Sequence, residues 1–436
     1  MNRELLKEVI LSSENYINKI ATRIVEREGI ILPDLLKKVV IFYGVRRSGK
    51  TFILFSLFEK YKNNSVYVDF EDDRLQGFEL EDFENLKEAL LELKPELIGK
   101  KIVFLFDEIQ NINGWERFCR RVIERENATV FVSGSSSKIT PYEISTALRG
   151  RAWDIEVFPF SFREYLRIKN IDPDKKNIFY SKEKFIVKKY FLEYLNWGGF
   201  PEVSFAKSEF EKRKLLKEYL DAMFFKDLVE RYEITNVQLL ETLLDKLFSS
   251  FSTRISLTSF YKQYKDKFPF SKDLLFRYYK YILESMLVFE VKKFSESIYK
   301  RTRNPAKIYL VDIGLAKGLT SKDIGRRLEN LVFLELKRRG YEVFYFDDKN
   351  ECDFIAVKDG KFFPIQVTYE LNKKNADREM GGITKACKLL DQKRGIIITY
   401  DEEESTKMDG ISIDIVPMWK WILKKNNHSK STSERN

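Results

Sequence analysis

The sequence predicts an α/β fold in which a mostly parallel sheet is covered by helices on both faces, with two smaller domains after it. Three observations predict it. Over roughly the first 160 residues, short apolar runs of strand length alternate with helical stretches. The first such run ends in a glycine-bearing turn that opens a helix. Past that region the order changes, first to three helices and a strand pair, then to helix, three strands, helix and strand. Alternation of strands and helices implies a parallel sheet, because each helix carries the chain back across a sheet face before the next strand begins.

The elements follow in order. Residues 1–28 place Leu5, Leu6, Val9, Ile10, Ile17, Ile20 and Ile24 at helical spacing. Residues 39–43 are β-branched and aromatic and end at Gly44, and residues 51–61 predict the helix after that turn. Residues 66–70, 102–106 and 130–133 predict further strands. Residues 185–194 and 209–230 predict aromatic-rich helices. Helices at 236–249, 256–267 and 271–283 precede strands at 287–293 and 307–311, which is the order of a winged helix. A helix at 328–339, strands at 343–347, 353–357 and 362–368, a helix at 376–391 and a strand at 395–400 complete the chain. The polar stretch 424–436 is expected to be disordered.

The length of 436 residues suggests about three domains. Composition excludes several chemistries. The single histidine, His428, sits in the polar tail, so mechanisms built on an imidazole have no candidate. The three cysteines, Cys119, Cys352 and Cys387, are far apart and form no C-x-x-C, which excludes a zinc site of Cys/His type and a disulfide scaffold. Reduced thiols fit a cytoplasmic protein. No apolar run approaches the length of a membrane helix, and Met1–Arg3 is followed by Glu4 and Lys7 rather than a signal core, so no membrane partner is expected. The formal charge is +10, and it is uneven: from Arg254 to Lys307 there are 13 basic and five acidic residues, a net +8.

Gly44-Val45-Arg46-Arg47-Ser48-Gly49-Lys50-Thr51 fits G-x-x-x-x-G-K-[ST], with an apolar strand before it and a helix after it. The glycines let the backbone N–H groups turn toward phosphate oxygens, and the helix adds the positive end of its dipole. ATP is the expected ligand. Lys50 would pair with the β/γ-phosphates and Thr51 would hold Mg²⁺. The strand at 102–106 ends in Asp107 and Glu108, so Asp107 is the second candidate at the metal and Glu108 the group that activates water. The strand at 130–133 runs into Gly134, Ser135 and Ser136, and Ser135, then Ser136, is the candidate hydroxyl near the γ-phosphate. Arg151 or Arg149 is the candidate to stabilise transition-state charge, in cis or from a neighbouring subunit; in the second case a homo-oligomer is natural.

These motifs, together with Asp107-Glu108-Ile109-Gln110, the L-R-G-R…P-F-S-F-x-E-Y-L run from Leu148 to Leu166, Trp197-Gly198-Gly199-Phe200-Pro201-Glu202, Lys226-Asp227-Leu228-Val229-Glu230-Arg231-Tyr232 and the run from Lys307 to Leu315, resemble the archaeal and bacterial AAA+-type P-loop ATPases. The resemblance covers nearly the whole chain. It implies a P-loop NTPase αβα sandwich, AAA+-like, over 1–165 with its N-terminal helix at 1–28. It further implies a winged-helix domain over 206–315 and a small α/β restriction-endonuclease-like domain over 316–425, which leaves a helical connector over 166–205 and, from its polar composition, a disordered tail over 426–436. ATP binding and hydrolysis are implied with it.

A winged helix with net +8 points to double-stranded DNA, because Lys and Arg that neutralise phosphates supply most of the affinity for a duplex. Lys272, Arg277 and Lys280 fall on the recognition helix, and Lys292, Lys293, Lys300, Arg301 and Arg303 around the wing. In the last domain Glu329, Asp353 and Gln366 form the candidate second metal set. A nuclease of that type needs acid-x-lysine at the last position, and Gln366-Val367-Thr368 lacks the lysine. The expected function is a Mg²⁺-dependent ATPase whose nucleotide state moves the domains that follow. The alternatives are a nucleotide-dependent DNA-binding switch and an ATP-regulated nuclease with a degenerate site. No residue specifies a protein partner.

Overall fold

A computed structural model describes residues 1–33, 36–135, 147–175, 177–295, 304–316, 321–348 and 350–424. Ser136, Lys300, Arg301, Arg303, His428 and the tail 426–436 lie outside the described residues. The chain divides into two compact units. One comprises Met1–Pro159, Glu218–Ile234 and Glu284–Met286; the other comprises Phe160–Lys217, Thr235–Leu283 and Leu287–Asn436.

The first unit contains α1 (Arg3–Ile20), β1 (Val39–Gly44), α2 (Lys50–Lys60), β2 (Ser65–Asp69), α3 (Asp82–Leu93), β3 (Ile102–Asp107), α4 (Trp115–Arg125), β4 (Ala128–Ser135) and β5 (Ala152–Glu156). Its five strands run in the order β2-β3-β4-β1-β5, and every neighbouring pair is parallel. This is the parallel sheet expected from the alternating pattern, in the form typical of a P-loop AAA+ fold. Strands β1 and β3 are buried along their full length because helices cover both faces, which is why they read as unbroken apolar runs. Alternate residues supply the two cores. Ile41, Phe104 and Phe106 face Leu6 and Ile10 of α1, Phe83 and Leu86 of α3 and Phe118 of α4. Phe42, Val103 and Leu105 face Ile53, Leu54 and Phe58 of α2. Strand β5 is half-buried at the sheet edge and carries Asp154 and Glu156, so it has no apolar run by which a sequence could reveal it.

The second unit begins with α5 (Phe162–Ile168), α6 (Glu183–Trp197) and α7 (Pro201–Phe205). Ser161 and Glu164 form a capping box that starts α5. Helix α8 (Glu209–Ala222) continues without a break into π-helical turns over Met223–Glu230. Then come α9 (Val237–Ser249), β6 (Thr253–Ile255), α10 (Leu257–Tyr264), α11 (Lys272–Glu284), β7 (Val288–Lys293) and β8 (Ala306–Leu310). The chain ends with α12 (Ser321–Arg338), β9 (Glu342–Asp348), β10 (Asn350–Lys358), β11 (Lys361–Val367), α13 (Ala376–Leu389), β12 (Arg394–Thr399), β13 (Glu404–Met408), β14 (Ile411–Pro417) and α14 (Met418–Leu423).

These strands form one mixed sheet of nine, in the order β13-β14-β12-β11-β10-β9-β7-β8-β6. The expected boundary between 315 and 316 falls between β8 and β9, two strands of this one sheet. Strand β7 pairs with β8 on one edge and, in parallel, with β9 on the other, so the strand pair ascribed to a separate wing is hydrogen-bonded into the C-terminal sheet. The 206–315 segment is also divided, since 218–234 and 284–286 pack with the first unit. The motif glycines have a packing role here. A Cβ on Gly199 would stand 2.1 Å from the Phe160 carbonyl oxygen, and the Asp312 carboxylate accepts from the N–H groups of Gly199 and Gly314, each at 2.7 Å. Among the described residues no helix is long and apolar enough to cross a membrane.

Candidate active site

The carboxyl ends of β1, β2, β3 and β4 bring the phosphate-loop residues and the acids together. The loop leaves β1 at Gly44, whose Cβ would lie 2.3 Å from the Val157 carbonyl oxygen, so only glycine fits. Gly49, at φ 96°, caps α2, and the first turn of that helix starts at Lys50. Backbone N–H groups without partners at such a terminus favour an anion. Lys50 is 5% exposed, and its ammonium curls back to donate to the carbonyls of Gly44 and Val45, each at 3.1 Å. Burial lowers its pKa, against the opposing pull of Glu108 and Asp107. The Ser48 hydroxyl is buried with no hydrogen-bond partner, and Arg27 fixes the loop by donating to the Ser48 carbonyl at 2.9 Å.

Asp107 is 2% exposed and receives three hydroxyls, from Ser133, from Tyr67 at 2.9 Å and from Thr51. Burial raises its pKa, the charge of Glu108 adds to the rise, and the three donors oppose it. Thr51 and Asp107 therefore meet at one point, in a set made only of oxygens, which suits a hard cation such as Mg²⁺. Glu108 is held at φ 48°, a left-handed conformation that costs a side chain energy, and Gln110 donates to its carboxylate. Residues held in such conformations cluster at active sites.

The structure supplies partners that sequence reading misses. Ser133, two residues before the candidate Ser135, is the β4 hydroxyl on Asp107; Ser135 pairs its backbone with Gly44, and its side chain lies outside the described residues. The period of two along a strand puts residues 133 and 135 on one face, so the face is legible but the residue is not. Arg46 is gripped by Asp227, and Arg47 lies 5.5 Å from the ring centre of Tyr219. Asp69 stands in register beside Asp107, and burial pushes its carboxyl up to about 7.

That shift gives a pH test. The unfolded carboxyl titrates near 3.9. Between about 4 and 7 the native state holds a proton that the unfolded chain has lost, so the stabilising effect is fully present only below about 4 and is lost progressively as pH rises to about 7. Asp69→Asn should match the wild type near pH 4 and melt higher than it at pH 8.5 in metal-free buffer. Thermal melts at both values check this, and identical pH profiles would remove Asp69 from the titration.

The cis placement of Arg149 and Arg151 is corrected. The Arg151 carbonyl accepts from Val39, and Ala152 pairs with Val39, at the amino end of β1. The loop leaves the carboxyl end, about 16 Å away at ~3.3 Å per residue. Arg151 is paired with Glu124 there. Neither arginine can reach the loop of its own chain.

Lys272, Arg277 and Lys280 lie on the exposed face of α11, opposite buried Leu275, Tyr278, Tyr279 and Ile282. Lys292 and Lys293 are not on a free wing: they are the residues of β7 that pair with Phe344 and Tyr345 of β9. Arg254 is paired with Asp347 and Glu351, and Lys307 is buried among acids, so among the described residues at least these two basic residues of that stretch are neutralised internally.

Glu329, Asp353 and Gln366 do come together, but not as a metal set. The Gln366 side-chain oxygen accepts from the Asp353 backbone N–H at 3.0 Å, and Asp353 accepts from the Val367 N–H at 3.0 Å. The Lys307 ammonium, from β8, sits among the acids, 3.0 Å from Glu329, 2.9 Å from Asp353 and 2.7 Å from Glu351. Tyr309 donates to Glu329 at 2.6 Å. Burial opposes the charge on Lys307, but Asp353 and Glu329 outweigh it and hold the amine protonated. A lysine thus occupies the place assigned to a divalent ion. Among the described residues no group of three or more His, Cys, Asp or Glu is arranged to hold a metal.

A family model for an AAA domain matches residues 36–166, one for a domain of unknown function (DUF8612) matches 188–324, and one for a second domain of unknown function (DUF4143) matches 324–421. An uncharacterized protein of Methanocaldococcus jannaschii is 37% identical over 436 residues, covering 96% of this chain and 95% of its own. An uncharacterized protein of Haemophilus influenzae is 27% identical over 431 residues, covering 95% and 99%. Among solved structures, the Aeropyrum pernix ORC1 protein in complex with DNA aligns at 12% identity over 69% of this chain and 88% of that one, with a TM-score of 0.29. The Thermotoga maritima RuvB Holliday junction branch migration motor aligns at 14% identity over 68% and 94%, with a TM-score of 0.28.

Proposed function

We propose that this chain, which belongs to the family of its Methanocaldococcus jannaschii relative and carries an AAA domain, is a Mg²⁺-dependent ATPase that converts ATP to ADP and phosphate. The observation that carries this reading is the meeting of Lys50, Thr51, Asp107 and Glu108 at one end of a parallel sheet. The loop N–H groups and the α2 terminus bind the phosphates, and Lys50 exchanges its two carbonyl partners for phosphate oxygens. Magnesium, when bound, neutralises charge on the β- and γ-phosphate oxygens, and Thr51 and Asp107 are the residues that would hold it. Glu108, aimed by its backbone and by Gln110, takes the proton of the attacking water.

We read the segment after the ATPase unit as a winged helix that contacts double-stranded DNA. The order α9, β6, α10, α11, β7, β8, with β8 between β6 and β7, supports the fold, and the exposed lysines and arginine of α11 support the contact. The order α12, β9, β10, β11, α13, β12 supports a restriction-endonuclease-like core. With Lys307 seated among its acids, we read that core as structural rather than cleaving.

Turnover measured with and without duplex DNA, for the wild type and Glu108→Gln, tests the first reading. Glu108→Gln should keep ATP binding and lose about 10²- to 10⁴-fold in turnover, the range of a general base; an unchanged rate would discard the assignment. Gel shifts at rising salt test the second. Removing Lys272, Arg277 and Lys280 should lower the salt slope by about 0.9 for each DNA phosphate that is no longer neutralised, and binding that ignores salt would count against phosphate recognition.

A further inference from the structure

The two candidate arginines of the 149–151 turn stand at the wrong end of the sheet, which leaves the charge on the transferring phosphoryl group without an arginine from that turn of its own chain. Arg46 is placed to supply one. It is the third residue of the phosphate loop, and its guanidinium is clamped edge-on by Asp227: Nε lies 3.3 and 3.4 Å from the two carboxylate oxygens, and Nη2 lies 3.1 Å from one of them. The remaining nitrogen, Nη1, makes an ion pair with Glu71 at 4.0 Å, too long for a hydrogen bond. Arg46 is within electrostatic reach of Glu108, and Lys50 in turn feels both Arg46 and Asp227.

The clamp is built for this position. Asp227 is 3% exposed and sits in the π-helical turns Met223–Glu230, which are far from the loop in sequence yet pack within the same unit. A π-helical insertion re-aims the side chains of a helix and is frequent at functional sites. The helix leading into it also holds the next loop residue, since Tyr219 lies beneath Arg47. Two successive loop arginines thus rest on one segment.

We propose that Arg46 is a catalytic residue that contacts the γ-phosphate and stabilises its charge in the transition state, and that Asp227 is the positioning residue that aims it. This rests on the ATPase reading. In the step it serves, water attacks the γ-phosphorus and the bond from that phosphorus to the β–γ bridging oxygen breaks. ADP leaves with the bond's electron pair, and the water proton passes to Glu108. The guanidinium neither gains nor loses a proton, and its fork donates to oxygens whose charge grows.

The test uses the full chain and its Arg46→Ala, Arg46→Lys, Asp227→Asn and Lys50→Ala variants. Fluorescent ATP and ADP analogues read affinity, and single-turnover assays read hydrolysis. Arg46→Ala should lose about 10²- to 10³-fold in the hydrolysis rate, with ADP affinity within a few-fold of wild type. Arg46→Lys should recover little, because an ammonium lacks the planar fork. Asp227→Asn should slow hydrolysis by about tenfold while both nucleotides still bind, the mark of a misaimed group rather than a lost site. An Arg46→Ala rate within threefold of wild type, alongside a Lys50→Ala chain that no longer binds, leaves the ATPase reading standing and overturns this one. An Asp227→Asn chain that loses ATP and ADP affinity equally at an unchanged rate overturns the positioning role. A wild-type chain that does not hydrolyse ATP overturns both readings.

Discussion

Lys50→Ala is expected to lose turnover by about 10²- to 10³-fold, the cost of deleting a preorganised donor from charge that builds in a transition state, and to lose most of its affinity for triphosphate. The protein should remain folded. The ammonium is buried against the preference of its charge, as its lowered pKa shows, and it rests on two loop carbonyls rather than on a carboxylate. Removing it therefore deletes a strained charge and leaves no orphaned ion. Thermal melts separate the two effects. Wild type should melt higher with ATP and Mg²⁺, by the linkage of binding to folding, and the variant should show the same ligand-free melt with no shift. A variant that hydrolyses ATP at the wild-type rate would place the site elsewhere.

Lys307→Met is expected to destabilise the second unit by about 3–5 kcal/mol, the range for breaking a buried pair by removing one partner. It leaves Glu329 and Asp353 facing each other without a cation. Glu329, whose carboxyl burial already pushes up, then resists ionisation further, so the variant should be relatively more stable in acid and lose stability as pH rises. Adding Glu329→Gln and Asp353→Asn removes the stranded charges and should restore much of the stability. Urea unfolding of the single and triple variants reads both steps. A single variant as stable as wild type would mean that the ammonium does not neutralise these acids.

Much of the first unit is legible in the sequence because its signals are local. Strands β1 and β3 are covered on both faces, so their apolar runs are continuous, and the loop between β1 and α2 has a fixed spacing of glycines, lysine and threonine. The signals fail where the partner is distant or the strand lies at an edge. Asp227 reaches Arg46 across 181 positions, and Lys307 reaches Asp353 across 46 without a motif spacing. Tyr67 and Ser133 become readable only once β2, β3 and β4 are known to be neighbours. Strand β14 alternates buried Ile411, Ile413 and Ile415 with more open residues, a period of two that a search for continuous apolar runs passes over. Arg149 and Arg151 mislead for the opposite reason: they stand close to the strand that flanks the loop, but a parallel strand enters the sheet at the end away from it.

The pairing of β7 with β9 has a mechanical consequence. A ladder that runs unbroken from β6 to β13 behaves as a single plate, and α11, which enters β7 through a short turn, is hinged to that plate rather than to a module of its own. The helix proposed to contact DNA is thus joined by one short turn to the sheet that contains Lys307. Truncating the chain between β8 and α12 would remove β9 and expose the β7 edge at Lys292 and Lys293, leaving backbone groups there suited to pairing with another chain.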